Sequence, residues 1–339
     1  MNDNLVTRQN FADLLEKTII PGNCTDEKRY LSPIAKIIME LLPKQLYRYR
    51  KVDEYSLDAL DKGMIFCSRA KDYNDPYDTL ISANLAPLQE INSQFLLCII
   101  KAMCAYLRQG GEIPENIKQL FPQEFLDECK TNAIKSNDAV GDEKQLVENL
   151  AGITNTLICK LNELAPLLRN ASSFACFSES INSVTMWAHY ADYHTGFALA
   201  YDFEALISEK PIEGVIISPV IYSDKRYDSS SLLAWAVGQC LAMPTKETDK
   251  LAHMKASLYK SKDWEYEKEW RLINLANTIA SHPSIQYQPN AIYYGLHISN
   301  INKKILHRIA VEKGLKEYEM SIDNSLNKYE LQIRSCNND

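Results

Sequence analysis

The 339-residue sequence lacks the short motifs by which many enzymes are identified. It contains no G-x-G-x-x-G, G-x-x-x-x-G-K-[ST], H-E-x-x-H or G-x-S-x-G, so the dinucleotide-binding, P-loop, zinc-peptidase and hydrolase-elbow classes have no marker here. The longest apolar segment, residues 95–106, contains Lys101 and is too short to span a bilayer. Because the first ten residues are polar and show no targeting signal, we expect a cytoplasmic protein that does not enter membranes.

Paired cysteines and excess positive charge are also missing. The nine cysteines are odd in number and scattered and form no C-x-x-C pair, which favours reduced thiols over a disulfide framework or a metal site. The 37 Lys and Arg residues against 44 Asp and Glu residues give a formal net charge of −7. An acidic protein has no general attraction to phosphate backbones, so nucleic acid is a poor candidate partner.

The sequence has the composition of a globular domain, with 46% hydrophobic and 24% charged residues. Short strand-like segments alternate with helical ones, which predicts an α+β fold with short-stranded mixed sheets. We expect an N-terminal helical segment over residues 1–45 and one α+β domain over 46–335. Helical spacing of apolar residues predicts a helical insertion within that domain at about 85–170.

Individual elements follow from the same patterns. Strands are expected at 46–50, 173–178 and 269–274, where aromatic and β-branched residues are concentrated. A helix is expected over 232–259, and a final strand over 328–333.

Three regions of the sequence are dense in aromatic and ionisable residues: 46–50, 177–192 and 264–271. The third of them contains a pair of glutamates. Glu267 and Glu269 are expected to open a strand, where residues two apart face the same side. Two carboxylates that lie so near each other repel, so the pKa of one should rise unless nearby cations stabilise both negative charges. The pair is a candidate for acid/base or cation-stabilising chemistry, or equally for ion pairs with Arg48, Arg50 or Arg271.

Several blocks resemble the signature of a widespread bacterial domain family without an established activity. They are N-D-P-Y-D at 74–78, C-F-S at 176–178, M-W-A-H-Y-A-D at 186–192 followed by Gly196, and W-x-x-E-x-E-W-R at 264–271. The resemblance covers about residues 45–335. It implies membership of that family, but it implies no reaction or substrate.

The order of the clusters is also similar to the Arg-Ser-Glu class of mono-ADP-ribosyltransferases, the cholera-toxin-like type. That class has an L-Y-R strand, an S-x-S motif before a helix, and an E-x-E pair, which residues 46–48, 178–180 and 267–269 match. The resemblance implies a split core of short mixed sheets, here with a helical insertion. This sequence departs from the class at Glu179, where threonine is usual, and in the insertion between the first two motifs.

The resemblance implies NAD as the substrate and a role for each matching residue. Glu269 would be the catalytic carboxylate that stabilises positive charge developing on the ribose. Glu267 would orient or deprotonate the acceptor, and Ser178 would hydrogen-bond near the catalytic glutamate or the ribose. Arg48 would bind the pyrophosphate as a planar bidentate donor.

The remaining expected NAD contacts are less specific. Tyr47 and Ser180 belong to the matching motifs, and Trp187 or Tyr190 would stack on nicotinamide. Core packing is the alternative explanation for both aromatic residues. It is favoured for Trp187, which has apolar neighbours on a predicted helix. Asn74 would line the pocket, although Asn-Asp-Pro is first of all turn chemistry.

Three functions therefore remain open. The first is an NAD-using enzyme that transfers ADP-ribose to an unknown macromolecule or hydrolyses NAD, as a toxin or phage-defence effector would. The second is a metal-dependent phosphodiesterase that uses Asp75, Asp78, Glu267 and Glu269 as magnesium ligands. The third is a non-enzymatic sensor or interaction module in which buried arginines and glutamates form a structural ion network.

Overall fold

The computed structural model describes residues 6–69, 72–79, 103–113, 115–118, 123–135, 173–204, 215–228, 249–274, 283–325, 327 and 329–336. The helices are α1 (Arg8–Lys17), α2 (Lys28–Leu41), α3 (Glu54–Lys62), α4 (Glu115–Lys118), α5 (Gln123–Lys135), α6 (Val184–Tyr190), α7 (Ala252–Ala256) and α8 (Asn300–Glu312). A 3-10 helix covers Lys262–Glu267.

The strands are short. They are β1 (Leu46–Arg50), β2 (Met64–Phe66), β3 (Ser68–Arg69), β4 (Ser173–Ser178), β5 (Phe197–Tyr201), β6 (Val215–Pro219), β7 (Ile221–Ser223), β8 (Tyr259–Ser261), β9 (Glu269–Asn274), β10 (Ser284–Gln286), β11 (Ala291–Tyr294), β12 (Lys316–Ser321) and β13 (Gln332–Ser335).

Nine of the described strands form one mixed sheet. Its order is β13-β12-β11-β5-β1-β4-β9-β6, and β3 pairs with β4 beside this path. The β11–β12 pair is parallel, whereas β1 is antiparallel to both β5 and β4. Two smaller sheets pair β10 with β2 and β7 with β8. The order has two ends, so the described strands form an open sheet and not a barrel, and the predicted short-stranded mixed architecture is confirmed.

Side-chain alternation along the central strands separates two hydrophobic clusters. On β5, Phe197 and Leu199 belong to the larger cluster and Ala198 to the smaller one. The larger cluster also takes apolar residues from α1, α2 and α8, while the smaller one includes Trp187 of α6. Because β1 alternates in the same way, its arginines face the larger cluster and its tyrosines face α6.

Local signals explain how β1 leads into β2. The side chain of Asp53 accepts a hydrogen bond from the Ser56 backbone N–H at 2.8 Å and so caps the start of α3. Gly63 ends α3 in the left-handed conformation, at φ 63°. The chain therefore turns back after α3, and β2 lies beside the arginine face of β1, where the Phe66 carbonyl oxygen accepts a hydrogen bond from Arg48.

Most of the element predictions are confirmed, and two are wrong. The strands at 46–50, 173–178 and 269–274 are present with these bounds. Of the helix expected over 232–259, residues 232–248 lie outside the described residues; the described part is helical only over Ala252–Ala256, and Tyr259 instead pairs with Ile221 in the β7–β8 sheet. The final strand covers Gln332–Ser335 and not 328–333, because its register is set by pairing with β12.

The predicted division of the chain remains a prediction. Helices α1 and α2 lie within the segment 1–45 and pack against the larger cluster. Helices α4 and α5 lie within the predicted insertion, most of which falls outside the described residues.

Gly196 is expected to tolerate no side chain. A Cβ atom there would lie 2.2 Å from the Arg50 carbonyl oxygen and 2.9 Å from the Ala191 carbonyl oxygen, both backbone atoms. Gly196→Ala should lower the free energy of unfolding by about 3 kcal/mol, the upper range for overpacking. Gly314→Ala is the control, because Gly314 has open space and only an unfavourable φ of +65°, which costs about 1 kcal/mol. Urea denaturation measures both, and equal losses would contradict the prediction.

Candidate functional site

A cavity opens where the large sheet splits. Strands β1 and β4 pair at a single position, Tyr47 opposite Ser178, whereas β1 is paired with β5 along its whole length. The space between the diverging strands is a cavity of about 400 Å³. Its lining residues are Tyr47, Arg48, Tyr49, Arg50, Ser68, Asp72, Tyr73, Asn74, Asp78, Cys176, Phe177, Ser178, Met186, His189, Tyr190, Lys260, Glu267 and Glu269.

Lys260 of β8 holds the two glutamates together. Its Nζ lies 2.5 Å from Glu267 Oε2 and 2.9 Å from Glu269 Oε2. All three residues are buried, with exposed fractions of 7%, 3% and 2%. One ammonium group shared by two carboxylates offsets their mutual repulsion and allows both to lie at the cavity wall.

Arg271 extends this network to Asp78. Its guanidinium donates to Glu269 Oε1 at 2.8 Å and to both carboxylate oxygens of Asp78, at 2.9 and 2.6 Å. A further hydrogen bond of 2.6 Å reaches the Ser257 carbonyl oxygen. Because Arg271 is fully buried, its charge is balanced entirely by these partners. We call Lys260, Glu267, Glu269, Arg271 and Asp78 the ion network.

The two glutamates do not share a strand, so the expected reason for their proximity is wrong. Glu267 ends the 3-10 helix, and β9 begins only at Glu269. Lys268 lies between them in the left-handed conformation, at φ 46°, and this turn brings the two carboxylates to the same ammonium group. Ser178 stabilises the turn, because its Oγ donates to the Glu267 carbonyl oxygen at 2.6 Å.

The surroundings move the pKa values of the two glutamates in opposite directions. Burial and the nearby charge of Glu269 raise the pKa of Glu267 to about 7, against the attraction of Lys260. Burial would also raise the pKa of Glu269, but Arg271 and Lys260 hold it well below its usual range. At neutral pH, Glu269 is ionised and Glu267 is close to its midpoint.

Tyr190 and Asn74 complete the surroundings of Glu267. The Tyr190 hydroxyl donates to Glu267 Oε1, and Asn74 Nδ2 donates to the Tyr190 hydroxyl at 2.9 Å. Burial and the charge of Glu267 raise the pKa of Tyr190, so its hydroxyl remains a donor at neutral pH. Both predicted residues therefore lie at the cavity beside a carboxylate.

Two arginines of β1 also line the cavity. The Arg48 guanidinium donates to the Phe66 carbonyl oxygen at 2.7 Å and lies 5.7 Å from the centre of the Phe177 ring. Arg50 follows on the same face of β1. Neither arginine is within ion-pair distance of a described carboxylate. Of the three arginines expected as partners of the glutamates, Arg271 is the one that pairs with Glu269, and the alternatives Arg48 and Arg50 do not.

Two predicted NAD contacts lie away from the cavity. Trp187 is fully buried, donates from Nε1 to the Ile181 carbonyl oxygen at 2.7 Å and packs edge-on against Tyr49 at 5.1 Å. This position leaves its ring no face for a ligand, so the core-packing alternative fits Trp187. Ser180 accepts from the Tyr49 hydroxyl through its carbonyl oxygen, at 2.5 Å, and does not line the cavity. Tyr47 does line it, edge-on to Tyr293.

The carboxylates proposed as magnesium ligands do not meet as a set. Asp75 accepts from the Tyr77 backbone N–H at 2.8 Å, which is turn chemistry, while Asp78 and the glutamates are bound to Lys260 and Arg271. Among the described residues, no group of three or more His, Cys, Asp or Glu is placed to hold a metal ion.

Sequence reasoning missed Lys260 and Arg8. Lys260 followed a predicted helix, and nothing nearby in the sequence marks it as a partner of the glutamates. Arg8 of α1 donates to the backbone carbonyl oxygens of Val220 and Glu269, at 2.8 and 3.0 Å, and to Glu179 Oε1 at 2.6 Å. The departure at Glu179 therefore has a structural reason, since its carboxylate anchors the N-terminal helix behind β9.

A protein-family model matches part of the chain. Residues 186–272 are similar to a family described as a protein of unknown function, DUF2971. The DUF2971 match begins in α6 and ends in β9, so it includes Tyr190, Lys260 and both glutamates. Searches of curated proteins and of solved structures gave no match. None of the described helices has the length and apolar character needed to cross a membrane.

Removing Arg271 from the ion network should destabilise the fold strongly. Arg271→Met strands the buried charges of Asp78 and Glu269 and should lower the free energy of unfolding by about 3–5 kcal/mol. Lys36→Met is the control, because Lys36 forms an exposed 3.9 Å pair with Glu40 that contributes under about 0.5 kcal/mol. Urea denaturation of both variants measures the difference. A loss at Arg271 no larger than that at Lys36 would contradict the assignment of a buried network.

Proposed function

We propose that the cavity binds NAD and that the protein breaks the bond between nicotinamide and ribose, by ADP-ribosyl transfer or by hydrolysis. The observation that carries the proposal is the presence of both charges in one cavity lining, with Arg48 and Arg50 contributed by β1 and Glu267 and Glu269 by the end of the 3-10 helix and the start of β9. This arrangement suits a substrate with a phosphate-bearing part and a reacting part that becomes positive.

The glutamates have properties that fit distinct roles. When the C1′–N bond breaks, nicotinamide leaves with the bonding electrons and the ribose ring becomes positively charged. Glu269 stays ionised and stabilises that charge. Glu267, with a pKa near 7, takes the proton from the attacking hydroxyl group or water as the new C1′–O bond forms. A pair of carboxyl groups whose pKa values are driven apart is a frequent arrangement for acid/base chemistry.

The order of the strands also supports this proposal. Arg48, Ser178 and Glu269 lie on the three neighbouring strands β1, β4 and β9, and Ser178 is opposite both Tyr47 and Glu269. The resemblance to the Arg-Ser-Glu class implies such a split core, with the cleft beside the arginine strand. Depletion of NAD or modification of a cellular macromolecule would suit a toxin or a phage-defence effector.

Loss of Glu267 should abolish turnover without unfolding the protein. Purified protein is incubated with NAD, with and without cell lysate, and released nicotinamide and labelled macromolecules are measured. Glu267→Gln should reduce the rate at least about 100-fold, the typical contribution of a general base. The control is Glu265→Gln, because Glu265 is an exposed residue of the same 3-10 helix. Thermal unfolding checks that both variants fold, and a wild type that neither consumes NAD nor labels lysate would refute the proposal.

The pH profile gives a second test of Glu267. As a base, Glu267 must be ionised, so kcat/KM should fall as the pH drops below about 7. The Tyr190 hydrogen bond lowers the pKa of Glu267, so Tyr190→Phe should move this limb to higher pH by roughly 0.5 to 1 unit. Tyr193→Phe is the control, because Tyr193 is 77% exposed and lies outside the cavity lining. If the acidic limb of the pH profile does not move in Tyr190→Phe, Glu267 is not the base.

A second candidate is a sensor that binds the same nucleotide without turnover. The burial of Glu269, only 2% exposed and held by two cations, favours it, since such a carboxylate also serves a structural network. One assay distinguishes the enzyme from the sensor. A sensor binds NAD tightly and releases no nicotinamide, and Glu267→Gln leaves its affinity unchanged.

A further inference from the structure

Arg50 lies where two cavities meet. Beyond the cavity described above, a second one of about 620 Å³ is lined by residues of β1, α3 and β3. Arg50, Ser68 and Asp72 line both cavities, whereas Tyr55 and Arg69 line only the second. A ligand that occupied both would pass the Arg50 guanidinium.

The charge of Arg50 has no counterion among the described residues. Three buried cations of the described chain have one: Lys255 pairs with Asp249, Lys260 with the glutamates, and Arg271 with Asp78. The nearby carboxylate of Asp53 is 3.2 Å from Lys51 Nζ and also caps α3, so it is already engaged. A partly buried cation without a carboxylate is costly, unless a ligand supplies the anion.

Arg48 makes the position of Arg50 still less favourable in the free protein. The two guanidinium groups lie on one face of β1, and burial together with the charge of Arg48 lowers the pKa of Arg50 to about 9. Arg48 is itself partly satisfied by the Phe66 carbonyl oxygen and the Phe177 ring. Of the two, Arg50 therefore has more donors available to a ligand, and an arginine fork is well suited to phosphate oxygens.

We propose that Arg50 binds the pyrophosphate of a dinucleotide that spans both cavities. The half carrying the reactive ribose lies beside Glu267 and Glu269, and the distal nucleotide half lies in the second cavity. This inference rests on the proposed function and goes beyond it in two respects. It assigns Arg50 as an arginine that binds the pyrophosphate, and it places the distal nucleotide half in the second cavity.

The test is calorimetric titration with two probes, ADP-ribose and uncharged adenosine. Arg50→Gln should weaken the binding of ADP-ribose at least 10-fold and change the affinity for adenosine less than 2-fold, because adenosine has no phosphate. Arg29→Gln on α2 is the control and should affect neither probe. In the absence of ligand, Arg50→Gln should unfold at the same or a higher temperature, because it relieves repulsion from Arg48.

Arg50→Lys keeps the charge and removes the planar fork, so it should bind ADP-ribose with an affinity between those of the wild type and Arg50→Gln. A lower unfolding temperature of Arg50→Gln, with ADP-ribose affinity unchanged in Arg50→Lys, would mean a structural role and overturn the inference. Unchanged ADP-ribose affinity in Arg50→Gln would also overturn it, even if the wild type consumes NAD. A wild type that releases no nicotinamide, but loses ADP-ribose binding in Arg50→Gln, would refute the catalytic proposal and support the inference.

Discussion

The buried contact of Lys260 with Glu267 and Glu269 is the interaction on which the rest of the site depends. Two carboxylates that approach one point in a low-dielectric interior repel each other strongly unless a cation lies between them. Lys260 provides that cation from β8, and Arg271 balances the remaining charge together with Asp78. The network thereby joins the turn before β9 to the segment 72–79 and to β8, which are far apart in the sequence.

The cavity exists because the central sheet is incomplete at one pairing. Strand β1 is fully paired with β5, and β4 with β9, but β1 and β4 meet at a single position. The backbone groups and side chains near that split have fewer partners within the sheet, so they are available to a ligand. Alternation along β1 places both arginines on one face, and both line the cavity together with the carboxylates of Glu267 and Glu269.

Much of the candidate site was predictable, because strand alternation and short motifs are local properties. Arg48, Ser178, Glu267 and Glu269 all reach the same cavity, as does Asn74 from the turn at 72–79. Trp187 lies in the core and not at the cavity, as the core-packing alternative predicted from its apolar neighbours on the helix. Both glutamates reach one ammonium group, but through a left-handed Lys268 that the strand pattern did not indicate.

The sequence by itself determined the short strands, the capped helix α3 and the charged motifs, because these depend on neighbouring residues and on backbone preferences. Tertiary structure alone decided which cation meets which carboxylate. Strand order and register are pairings between distant segments. They bring Lys260 and Arg271, and not Arg48 or Arg50, into contact with the carboxylates. It also decided that Arg50 has no described counterion, because that depends on every chain segment that approaches it in space and not on its own neighbours in the sequence.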